Sequence, residues 1–178
     1  MKLKLRLIPV IVTFTASCVI LFGGWFVYNS MAMENPLTQL LADQPGVQGV
    51  QADLSAGQVT FDLQVNKQAS LFDLMHRATT EGSKQIGKRE VKLNVKSDSS
   101  EKLDKWWSEA LFGVAQAMET KQYARIPELL NEKAANEGIQ VDTQIDDKYV
   151  YIRLTEGEHS KFEMLPRNPA KMGVWPNE

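Results

Sequence analysis

The stretch Gln58-Val59-Thr60-Phe61-Asp62-Leu63-Gln64-Val65 puts an apolar side chain at every second position and a polar one between. A two-residue period of this length is the pattern of a β-strand with one dry and one wet face. A sheet with a dry face must bury it, so the pattern asks for more strands and for helices to cover them. Both are found on either side. Residues 47–54 form a less regular strand across the turn Ser55-Ala56-Gly57. Downstream, residues 66–69 read as a loop, and Ser70 stands where it can cap a helix over residues 71–80. Leu71, Leu74, Met75 and Ala78 make one face of that helix, and Gly82 and Gly87 punctuate its exit. Val91, Leu93 and Val95 then alternate with Lys92, Asn94 and Lys96, a third half-buried strand. Upstream, Asn35 reads as an N-cap with Pro36 at the first helical position. Leu37, Leu40 and Leu41 form the stripe of a short helix ending at Pro45-Gly46.

Residues 35–97 therefore read helix, strand, strand, helix, strand: a small three-stranded sheet with two helices on one face. This order resembles the ring-building modules of membrane-anchored sporulation and secretion proteins. Pro45-Gly46-Val47 and Gly57-Gln58-Val59 are also similar to small α+β modules of the alkaline-shock and metal-transport-associated kinds. The ring-building resemblance implies self-association through the sheet and helix edges of residues 35–97. The metal-transport version requires a Cys pair, which this sequence lacks.

Ser97-Asp98-Ser99-Ser100 is a polar break and marks a second module over residues 98–166. Asp98 or Ser99 can cap a long helix to about Thr120, with Glu101 and Asp104 favourable in its first turn. Leu103, Trp106, Trp107, Ala110, Leu111, Val114 and Met118 fall on one stripe, and Phe112 falls almost opposite it. A second helix covers about residues 123–136, with Ile126, Leu129, Leu130 and Ala134 apolar and Pro127 in its first turn. Gly138 ends it. Three sequential strands follow, about residues 139–145, 149–155 and 160–165. Their short connections suggest an antiparallel meander with the two helices on one face. Residues 167–178, with Pro169, Gly173 and Pro176, read as a flexible tail.

At the other end, residues 7–28 read LIPVIVTFTASCVILFGGWFVY without a charge. About twenty helical residues match a hydrocarbon core of about 30 Å, so the run from Leu7 to Tyr28 is expected to be a transmembrane helix in contact with the lipid bilayer. Lys2, Lys4 and Arg6 lie in the tip of residues 1–6, and the next basic residue after the run is Lys67. The positive-inside bias then keeps the N-terminus cytoplasmic and sends the rest outside. Trp25 and Tyr28 fit an interfacial aromatic belt. The expectation is a single-pass signal-anchor protein of the cell membrane. The alternative is secretion after cleavage at the small-x-small site Ser30-Met31-Ala32. Thr15-Ala16-Ser17-Cys18 resembles the end of a lipobox, but Thr replaces the usual aliphatic residue and apolar residues follow where lipoproteins turn polar.

The chain has 178 residues and a net charge of −2. Beyond residue 28 it carries 17 basic and 22 acidic residues, a net of −5, which argues against nucleic acid as a partner. The lone Cys18 excludes disulfides and thiol chemistry in the folded part. Asp73 and His76 are too few for a zinc site. His159 beside Glu156 and Glu158 reads first as a solvated turn. No Ser- or Cys-based nucleophile motif and no phosphate loop is present, so no catalytic residue, metal or cofactor is expected. Trp106 and Trp107 invite a stacking or protein-contact role, against ordinary core packing. Tyr149, Tyr151 and Arg153 share the strand face opposite Val150 and Ile152 and form, with Trp106, Trp107 and Phe112, the expected contact surface.

The fold expected is thus α+β: one transmembrane helix, an αββαβ module, then two helices on a three-stranded meander. The expected function is non-enzymatic protein interaction or assembly at the cell envelope, with a protein partner or self-association. The alternative is an envelope module for a small ligand or glycan.

Overall fold

The computed structural model describes residues 7–29 and 35–167. Among the described residues six helices and six strands follow in the order α1 (Leu7–Asn29), α2 (Asn35–Ala42), β1 (Val47–Leu54), β2 (Gln58–Val65), α3 (Leu71–Thr80), α4 (Ser83–Ile86), β3 (Glu90–Ser97), α5 (Glu101–Glu119), α6 (Arg125–Ala134), β4 (Gln140–Ile145), β5 (Tyr149–Glu156) and β6 (His159–Pro166). The α+β class holds, with two three-stranded sheets.

The expected membrane span is corrected. Residues 7–29 are helical, but among the described residues no helix is long and apolar enough to cross a membrane. The single-pass, signal-anchor and cell-membrane placement falls with it. Along this run the apolar side chains lie open, Phe14 at 70% and Phe22 at 73% exposure. The basic tip, the cleavage site at Ser30-Met31-Ala32 and residues 168–178 of the tail lie outside the described residues.

In the first sheet β1 pairs antiparallel with β2, and β2 pairs parallel with β3. Paired positions share a face, so Phe61 aligns Ala52 on one side and Leu93 on the other. That face carries Val59, Leu63 and Val65 as well, all essentially closed to solvent, and packs with Leu37 and Leu41 of α2 and Leu74 and Ala78 of α3. The opposite face, with Gln51, Asp53, Asp62, Lys92, Asn94 and Lys96, is wet, as the alternation requires. Ser70 caps α3 by accepting from the Asp73 N–H at 3.2 Å. The short α4 is an addition to the expected order, set between Gly82 and Gly87.

In the second sheet β4, β5 and β6 form the expected antiparallel meander. Val150, Ile152 and Leu154 of β5 meet Leu103, Trp106, Ala110 and Val114 of α5 and Ile126 and Leu130 of α6. The cap of α5 is Ser100, which accepts from the Leu103 N–H at 3.1 Å, not Asp98 or Ser99. Leu111, expected in the stripe, is 41% exposed, and Ala117 is buried in its place at 5%. Pro127 sits in the first turn of α6, where its missing N–H costs no helical bond.

The two modules touch. Tyr151 is buried against the core of the first module, and Tyr149, Phe162 and Met164 pack onto the same cluster. The second sheet is thus covered by α5 and α6 on one face and meets the first module with the other.

The seam between the modules as candidate functional site

The seam is built from the outward face of β5 and β6 and from the loop that leads into α3. Strand alternation sends Tyr149, Tyr151 and Arg153 away from α5 and α6. The sequence predicts this face correctly as distinct from the core of the second module, but its partner is the first module of the same chain. Tyr151 is 4% exposed and sets its ring edge-on to Phe72 of α3, with centroids 5.8 Å apart. Tyr149 lies 6.1 Å from Tyr151 and is half-buried.

Arg153 reaches across the seam. One of its terminal nitrogens, Nη1, donates to the carbonyls of Lys67 at 3.2 Å and Ala69 at 3.1 Å. The other, Nη2, donates to Asp142 Oδ2 at 3.0 Å. Three turn contacts fasten the β5–β6 hairpin, one to the first module and two to Asp98 in the break that follows it. Lys67 donates to Glu158 at 2.7 Å, His159 Nδ1 lies 2.9 Å from Asp98 Oδ2, and the Ser160 N–H donates to the Asp98 carbonyl at 2.9 Å. The Glu156-Gly157-Glu158-His159 turn is therefore a fastening point, which its sequence alone does not reveal. Ser160 Oγ is buried with no hydrogen-bond partner among the described residues.

At the far end of the seam the Tyr151 hydroxyl donates to Asp146 Oδ2 at 2.6 Å. Asp146 Oδ1 accepts the backbone N–H groups of Lys148 and Tyr149, both at 2.7 Å. Burial pushes the Asp146 carboxyl up, but these three hydrogen bonds outweigh it and hold the group below the usual carboxylate range. Burial, and then the hydrogen bond to Asp146, push the Tyr151 hydroxyl well above its ordinary value. Burial and the nearby Glu90 and Asp146 charges raise Tyr149 as well.

A cleft of about 720 Å³ opens along the seam between β3 and β6. Val91, Leu93 and Val95 of β3 form one wall, and Phe162, Met164 and Pro166 the other. Glu90 and Lys148 stand at its rim. A second opening of about 410 Å³ lies between α3, α4 and the β4–β5 turn, with His76, Asp146 and Asp147 among its lining residues. Asp73 and His76 gather no third ligand, since among the described residues no group of three His, Cys, Asp or Glu could hold a metal ion.

The remaining expected contact residues separate. Trp106 and Trp107 are 3% and 6% exposed in the core of the second module, so neither ring offers a stacking face. Lys133 lies over the Trp106 ring at 5.6 Å, and the indole N–H has no partner among the described residues. Phe112 is 83% exposed on the opposite side of α5. The six residues thus occupy three places: a core, a seam and a free surface. No family model, curated protein or solved structure matches this chain.

Proposed function

We propose that this protein is a non-enzymatic interaction module that acts in assembly, self-association included. The observation that supports it most is the open sheet edges. Among the described residues β1 and β3 are each hydrogen-bonded on one side only, and so are β4 and β6 in the second sheet. An unpaired strand offers a row of N–H and C=O groups ready for another chain. From Val50 onward β1 has little to deter such pairing: Asp53 is its one charge, it contains no proline, and its register shift lies between Val47 and Gly49. The ring-building resemblance of residues 35–97 implies contacts of the same sort.

The test is mass photometry of the full chain over a wide concentration range, with lysine- and carboxylate-directed cross-linking. Oligomers cross-linked between β1 and a sheet edge of another copy are the expected result. Monomers at every concentration, with no intermolecular cross-link, would remove self-association.

A further inference from the structure

The cleft between β3 and β6 has the form of a receiving groove for a strand. We propose that it takes an extended segment of a partner protein, added beside β3, in which apolar residues alternate with acidic ones. The inference rests on the interaction reading above and names the chemistry of the partner.

Three observations carry it. First, among the described residues β3 is the last strand of its sheet and pairs with β2 alone, which leaves its outer edge to an incoming chain. Second, Val91, Leu93 and Val95 face Phe162, Met164 and Pro166 across the cleft. Their two-residue spacing repeats at about 6.6 Å, so a strand laid beside β3 drops every second side chain between these walls. Third, the intervening side chains of that strand would lie beside the wet face of β3. Lys92 and Lys96 stand exposed there, and neither has an ion-pair partner among the described residues. Asn94 between them is occupied, donating to Asp62 at 3.0 Å. Lys148 adds a third exposed cation at the rim, set against the one carboxylate of β3, the exposed Glu90. Opposite charges attract across neighbouring strands, and like charges repel. Acidic residues at the intervening positions therefore complete the face.

A lone strand suits the cleft better than a second copy. β6 closes one side, and β1 of another copy arrives with β2 and α2 attached.

The test uses the full chain and a fluorescein-labelled ten-residue peptide alternating Val with Glu, read by fluorescence anisotropy. Saturable binding is expected. It should weaken at least tenfold when Lys92→Glu and Lys96→Glu are combined, and disappear when every second peptide amide is N-methylated. Both lysines are exposed, and an unchanged urea midpoint verifies that the variant folds. Equal binding of a Val/Lys peptide, unchanged binding by the double variant, or no saturation into the millimolar range would each overturn the proposal. Mass photometry in parallel separates the two readings. A chain that self-associates yet ignores the peptide keeps the interaction reading and loses this one. A monomer that binds the peptide supports the cleft and removes self-association. Oligomers that the peptide dissolves, cross-linked from β1 to β3, would give the cleft to a second copy and overturn the partner named here.

Discussion

Replacing Arg153 with Ala should loosen the seam at its junction with the 66–70 loop. The side chain makes three contacts from two nitrogens. The pair with Asp142 is 29% and 46% exposed on its two sides, so it contributes at most about 1 kcal/mol. The two carbonyl contacts share Nη1, at 3.2 and 3.1 Å, and together count as about one charge-assisted hydrogen bond, near 2 kcal/mol. Ala69 is closed to solvent, so water does not readily replace the lost donor. The expected loss is about 3 kcal/mol, or roughly 6–12 °C in Tm for a chain of this size. Arg153→Lys keeps the charge but not the planar fork, and should lose about half as much, roughly 1.5 kcal/mol. Urea unfolding followed by indole fluorescence reads the total, because Trp106 and Trp107 lie in the core of the second module. Amide exchange at residues 66–70 reads the location. A loss under about 1 kcal/mol, or unchanged exchange in that loop, would mean that the apolar contact of Tyr151 with Phe72 holds the modules and that Arg153 is incidental.

Two further outcomes follow from the geometry. Asp146 is held low and Tyr151 high, so their pair stabilises the fold most between about pH 4 and pH 10, the unfolded values of the two groups. Stability should fall on the acid side as Asp146 protonates and on the alkaline side as Tyr151 ionises. Urea midpoints against pH test this, and Tyr151→Phe should shrink the alkaline arm to the part that the raised Tyr149 contributes; an arm of unchanged size in that variant refutes the assignment. Gly46 has φ +79°, and an added Cβ would overlap the backbone nitrogen of Ala69 and lie 2.7 Å from the Gln68 carbonyl carbon. Gly46→Ala should cost about 3 kcal/mol, from left-handed strain plus displacement of the loop that Arg153 grips. A urea midpoint within error of the parent would show that the 66–69 loop yields easily.

The alternation of residues 58–65 and 91–95 and the helical stripe of Leu103, Trp106, Ala110 and Val114 could be read directly, because each reports burial of one face of a local element. Leu111 differs because it sits at the edge of that stripe on the side away from α6, whose Leu129 packs against Gly113. The length and charge of residues 7–28 suggested a span that the described helix does not support. For the seam, alternation told which side of β5 carries Tyr149, Tyr151 and Arg153, but it could not tell solvent from a neighbouring module. Both leave a strand with the same period.

The sequence by itself determined the α+β class, the polar break between β3 and α5, and the meander, since these follow from short-range periodicity and turn residues. Tertiary structure decided the rest. Parallel pairing of β2 with β3, the bonds from Arg153 to Lys67 and Ala69, and the cleft between β3 and β6 join residues far apart in the chain. Their formation depends on how two covered sheets meet, and no local pattern encodes that meeting.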